Sequence, residues 1–171
     1  MPASEKLSGS IFAGPWSSHP VLLMVGASEE SRLPLRRLVE GFGWHLFESA
    51  SCAEGMALLR RERIRVVICE QDLPDGNWRS LLEEIAKLAY QPNLIVASRL
   101  ADDRLWAEVL NLGAYDLLVL PYYAQEVRRV VSLAFDSKCR EASGRTMARK
   151  PSRPAPTHQS AGRAVAAAHG D

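Results

Sequence analysis

Five times along this chain a short apolar run of strand length gives way to an amphipathic, helix-spaced stretch, and that alternation constrains the fold most. Val21 to Val25 (VLLMV) is continuously apolar, as a strand buried on both faces should be. Ser28 then offers an N-cap ahead of Glu29 and Glu30, acids that suit the positive end of a helix dipole. Leu33, Leu35, Leu38 and Val39 supply the buried stripe, with Pro34 expected near the first turn. Trp44 to Glu48 reads as a second strand. Ser51 and Glu54 have the spacing of a capping box ahead of Met56, Leu58 and Leu59. Ile64 to Cys69 (IRVVIC), rich in β-branched residues, reads as the third strand.

The alternation resumes after the turn signal Leu73-Pro74-Asp75-Gly76. A helix is expected from about Trp78 to Leu88, with Leu81, Leu82 and Ile85 on one face. Leu94 to Ala97 (LIVA) is the fourth strand. Asp102 caps a helix ending at Leu112, and Gly113 stands where a left-handed residue is needed. Tyr115 to Val119 is the fifth strand, stopped by Pro121. A last helix runs from Ala124 to about Phe135 on Val127, Val130, Val131 and Phe135. Five β-then-α units imply the α/β class: a doubly wound, five-stranded parallel sheet with helices on both faces. Such folds place their chemistry at the carboxyl ends of the strands.

Length and charge bound the rest. The 171 residues allow one ordinary domain plus tails. A net charge of +1 argues against an overall basic nucleic-acid binder. Composition shifts near Lys138: Cys139 to Asp171 carries a net +4 and contains no Leu, Ile, Phe, Trp or Tyr. That stretch cannot bury enough surface to offset its ordering entropy, so residues 139–171 are expected to form a disordered basic tail. Residues 1–19 are expected to be a loose leading segment, leaving one domain over 20–138. A solvated tail is favoured over an electrostatic arm for nucleic acid. No apolar run approaches the roughly 18 residues of a membrane span, and the first nineteen residues lack the core of a secretory signal. Cys52, Cys69 and Cys139 are odd in number with no CxxC spacing, which reads as reduced thiols in a cytoplasmic protein without a zinc site.

At the strand ends stand Gly26-Ala27-Ser28, Glu70-Gln71-Asp72, Ser98-Arg99 and Leu120-Pro121. No GxxxxGK[ST] or GxGxxG loop is present, which argues against nucleotide binding. His19, His45, His158 and His169 are scattered, so no Ser/His/Asp arrangement is expected. The chain reads as a non-enzyme.

The spacing of VLLMVGAS, VVICEQDLPDGNW, LIVAS and LGAYDLLVLPYY resembles the receiver domain of bacterial two-component response regulators, over roughly Pro20 to Lys138. The resemblance implies the flavodoxin-like strand order 2-1-3-4-5 and a single-domain role in phosphorelay signalling. It implies protein partners: a histidine kinase, another regulator, or a second copy met through the fourth helix, fifth strand and fifth helix. Its functional residues mostly fail to carry over. The two acids that would hold Mg²⁺ are Gly26 and Ala27, and neither side chain can ligate a hard cation. The phosphoacceptor position is Glu70. The hydroxyl that would bind the phosphoryl group is kept as Ser98, and the charge-neutralising Lys is replaced by Leu120. Pro121 is kept, and the resemblance implies a cis bond before it. Leu117 replaces the aromatic that would couple the site to a distant surface.

Phosphoryl transfer works by positioning and by neutralising charge, and this pocket lacks every cation the family supplies. Mg²⁺ binding and ordinary phosphorylation are therefore expected to be lost. Glu70 has two readings: a carboxylate imitating a phosphorylated Asp, with Ser98 turned inward to meet it, or a solvated acid in an idle pocket. Two alternatives remain open: a small α/β enzyme using Glu70 and Ser98 together, and a receiver phosphorylated at Asp72. With Ala107 and Leu110 taken as sheet-facing, Trp106 points toward solvent or the last helix and is a candidate interface anchor.

Overall fold

The apolar runs become strands covered on both faces, where polar alternation would gain nothing. The computed structural model describes residues 19–100 and 102–142. The strands of its main sheet are β1 (Val21–Val25), β2 (His45–Ser49), β3 (Val66–Glu70), β4 (Asn93–Ser98) and β5 (Asp116–Val119). All pair in parallel, in the order β2-β1-β3-β4-β5, as the five β-then-α units require. The inner strands β1, β3 and β4 are almost wholly buried, whereas β2, at one edge, is mostly half-buried. A two-residue-armed antiparallel hairpin, Asp72–Leu73 against Gly76–Asn77, follows β3.

The helices are α1 (Glu29–Gly41), α2 (Cys52–Arg61), α3 (Trp78–Ala86), α4 (Asp103–Asn111) and α5 (Ala124–Ala142). Alternate strand residues pass to opposite faces, so the sheet builds two cores. On one face Leu23, Val67 and Val96 pack with Met56 of α2, Trp78 and Leu81 of α3, and Val109 of α4. On the other, Leu22, Ile68 and Ile95 pack with Leu35 and Val39 of α1 and Val127 and Val131 of α5. Among the described residues no helix is long and apolar enough to cross a membrane.

The helix starts follow their caps. Ser28 accepts from the Ser31 N–H, Ser51 from the Glu54 N–H, and Asp102 from the Leu105 N–H. The expected Ser51–Glu54 box is not reciprocal: the Glu54 carboxylate accepts from the Ala50 N–H at 2.9 Å, one residue before the cap. The full box lies instead at Asn77 and Ser80 of α3. Gly113 adopts φ 98° after α4, as its place past the helix end requires. Pro34 falls in the second turn of α1 rather than the first, and its missing N–H leaves the Glu30 carbonyl without the usual donor on an exposed helix face.

The last helix corrects the domain boundary. Residues 139–142, assigned above to a disordered tail, continue α5. The reason is tertiary: Arg65 at the foot of β3 donates to Cys139 Sγ at 2.5 Å and lies over the Phe135 ring, 5.1 Å from its centre. The apolar stripe ends at Phe135, but these contacts carry the helix a further turn and more. Residues 1–18 and 143–171, also expected to be loose, lie outside the described residues.

Trp78 is fully buried in the α2–α3–α4 core, and its indole N–H has no hydrogen-bond partner among the described residues. Trp78→Ala should cost about 3–5 kcal/mol. Trp78→Phe should cost clearly less, because it also removes an unpaired buried donor. Urea unfolding of both variants checks the order.

Candidate functional site

β1 and β3 lie side by side with Val25 opposite Cys69, so Gly26, just past β1, comes beside Glu70, the last residue of β3, at the carboxyl edge of the sheet. The Gly26 N–H donates to the Ser49 carbonyl of β2 at 3.0 Å, which fixes the start of the loop. The peptide joining Gly26 to Ala27 is then held at both ends. Arg32 Nη1 donates to the Gly26 carbonyl at 2.5 Å, and the Ala27 N–H donates to Glu70 Oε2 at 2.9 Å. Gly26 permits this closeness. A Cβ there would stand 3.2 Å from Arg32 Cγ, 3.1 Å from Ser31 Oγ and 2.9 Å from Met24 Cε.

Arg32 belongs to an ion-pair network on the outer side of α1. It donates to Glu29 at 3.1 Å and lies 3.9 Å from Glu48 of β2. Arg36 grips Glu48 through Nε at 2.8 Å and Nη2 at 3.0 Å, and reaches Glu29 at 2.7 Å. These bonds, Arg36 first and Arg32 second, hold the Glu29 carboxyl below its ordinary range. They raise the Arg36 guanidinium in turn, Glu29 contributing more than Glu48. The sequence reading counted no cation at this pocket. The structure brings one, Arg32, from the first turns of α1.

Ser98 is buried at the end of β4, but it does not turn to Glu70. Its hydroxyl donates to Gln71 Oε1 at 2.8 Å and accepts from the Leu100 N–H at 3.1 Å. Register explains the separation: Glu70 stands opposite Ala97, so Ser98 is one residue further along, on the alternate pleat. The inward-turned Ser98 of the mimicry reading and the Glu70–Ser98 pair of the enzyme reading are thus not what forms. Nor is Glu70 merely solvated, since it is half-buried and bonded to the first loop.

Leu120 is half-buried where the family's Lys would stand, and the Leu120–Pro121 peptide is cis. Tyr122 follows, its hydroxyl 4.0 Å from Met24 Sδ. Burial first, then the charge of Glu70, push its phenol well up. Leu117 is 2% exposed and packs in the α2–α3–α4 core. Asp72 is exposed on the hairpin, opposite Asn77. Trp106 corrects the reading of α4: the buried positions are Leu105 and Val109, while Ala107 is exposed. Trp106, next to this stripe, is half-buried and packs on the same core rather than standing out as an anchor.

Three residues here were not singled out for the site from sequence. Gln71 shows as a polar amide directly after the strand end, and Arg32 as a cation three residues beyond Glu29. Asp75 looked like a turn residue only. Its Oδ1 accepts from the Cys52 N–H at 2.8 Å and its Oδ2 from the Ala53 N–H at 2.9 Å, which ties the hairpin to the start of α2.

No family model matches the chain, and no curated protein matches it in sequence. Solved structures do match its shape. The signal receiver domain of an HD domain-containing protein from Pseudomonas fluorescens superposes with a TM-score of 0.67 at 22% identity, covering 78% of this chain and 98% of that one. A response regulator receiver domain protein from Clostridium thermocellum gives 0.64 at 21% identity, over 70% and 97%. Another from Methanospirillum hungatei gives 0.62 at 22%, over 72% and 98%. The chain has the flavodoxin-like fold of response regulator receiver domains.

The two N–H bonds, Ala53 first and Cys52 second, hold the Asp75 carboxyl below its ordinary value. Its contribution to stability is complete above the unfolded carboxyl value of about 4 and is lost as pH falls through the lower folded value. Asp75→Asn should therefore flatten that acid limb of the stability curve, as read from thermal unfolding at stepped pH. An unchanged limb would show that the tie contributes nothing.

Proposed function

We propose that this chain is a receiver-like signalling domain that works through protein contacts and has lost phosphoryl transfer. One observation carries the reading: each group at the carboxyl edge that would handle a phosphoryl group is replaced or already engaged. Gly26 and Ala27 present no side-chain oxygen, and the Gly26 carbonyl accepts from a guanidinium. Glu70 is bonded to the loop, the Ser98 hydroxyl is bonded to Gln71, and Leu120 brings no charge.

Phosphoryl transfer calls for positioning and for cations that would neutralise charge on the transferring oxygens, a role that a divalent ion held by side-chain oxygens would supply. The residues present do not fit a hard divalent cation, which takes six or more oxygen ligands. Among the described residues no three His, Cys, Asp or Glu side chains converge as a ligand set. Glu70 also carries its carboxylate one methylene further out than Asp, and misplacement by about an ångström can cost a hundredfold. The same engagements leave no acid–base pair for other chemistry, so the domain acts without catalysis of its own.

Recognition then rests on shape and exposed surface. Leu100, Leu112, Val119 and Tyr123 are exposed apolar residues around α4, β5 and the start of α5. They suit a kinase, another regulator or a second copy of the chain. Incubation with acetyl phosphate and millimolar Mg²⁺ should leave the intact mass unchanged. Addition of a phosphoryl group that disappears in Glu70→Gln or Asp72→Asn would overturn this reading and name the acceptor.

A further inference from the structure

The Gly26–Ala27 peptide stands between opposite charges, with a guanidinium on its carbonyl and a carboxylate on its N–H. We propose that Arg32 and Glu70 act through this peptide as one charge clamp, so that the pocket carries its own fixed cation where the fold's relatives would need a divalent ion. The inference rests on the reading above for the identity of the pocket, and adds what holds the pocket in place of a metal.

Three observations carry it. First, both bonds fall on a single peptide unit, at 2.5 Å to the carbonyl and 2.9 Å from the N–H. Hydrogen bonds to charged groups are about twice as strong as neutral ones, and bonds in series across a polarisable peptide strengthen one another, by about 10–30% each. Second, the space is built for it. Gly26 is buried, and any side chain there would meet Met24, Ser31 and the stem of Arg32. A side chain at position 26 would crowd Arg32, whose Cγ would lie 3.2 Å from the new Cβ and would have to give way. Third, the cation is anchored from behind: the Arg32 side chain is only 15% exposed and is held by Glu29, which Arg36 ties to Glu48. A metal joins the first loop to the third strand only while bound. This clamp joins α1, the β1–α1 loop and β3 permanently, and the Gly26 N–H bond to Ser49 adds β2.

The test is the response of one end of the peptide to a change at the other, followed by NMR on the full chain. Glu70→Gln keeps the shape and removes the charge. It should shift the Gly26 carbonyl-carbon resonance, which Glu70 does not touch, and speed Ala27 amide exchange by at least about threefold. Arg32→Met should shift the Ala27 amide proton in turn. Glu84→Gln, whose carboxylate on α3 pairs with Lys87 and takes no part in this network, should move neither resonance. Millimolar MgCl₂ added to the unaltered protein should leave both resonances in place. Effects confined to the mutated end, or a saturating Mg²⁺ shift at residues 26 and 27, would overturn the clamp. If Arg32→Met does not fold, Glu70→Gln and the Mg²⁺ titration decide alone. A mass gain from acetyl phosphate with the cross-peptide response intact would sink the functional reading and leave the clamp standing. The reverse pattern would sink only the clamp.

Discussion

The pairing of β1 with β3 is the constraint on which the rest depends. These strands are the inner pair around which the sheet winds, and their register sets Val25 against Cys69. One residue later β1 has ended while β3 reaches its last residue, Glu70, so the loop backbone after β1 meets a side chain of β3. A slip of one residue would send Glu70 to the opposite face and leave the Ala27 N–H without its acceptor. The same pairing divides the two cores, since every strand residue that turns to α1 and α5 has neighbours that turn to α2, α3 and α4.

The pocket is better described as closed than as empty. Unmatched backbone groups at a sheet edge carry a cost in free energy. Here the edge groups bond to one another: the Arg32 guanidinium to the Gly26 carbonyl, the Gln71 amide to the Ser98 hydroxyl, and the Glu70 carboxylate to the Ala27 N–H of the first loop. Leu117, between this edge and the α2–α3–α4 core, is buried among apolar neighbours.

Most of the fold could be read from the chain because the signals were local. Val21 to Val25, Ser28, Asp102 and Gly113 each specify their own conformation within a turn or a strand. The errors arose where distant residues decide. α5 outlasts its apolar stripe because Arg65, far away in sequence, grips Cys139 and covers Phe135. The buried face of α4 was misjudged because Ala107 and Leu105 are equally apolar on paper, and only the approach of the sheet distinguishes them. At the site, the missing acids and lysine showed directly in the motif. Arg32, Gln71 and Asp75 did not, because each acts by reaching a backbone or a side chain on another element.

The length of α5 has a geometric consequence. Nineteen residues at about 1.5 Å each span about 28 Å, while a five-residue strand at about 3.3 Å each covers only about 17 Å. The helix starts beside the pocket and runs back along the sheet, so it overhangs the opposite rim by about 10 Å. β1 also begins at that rim. Both ends of the described residues therefore lie at the rim opposite the pocket.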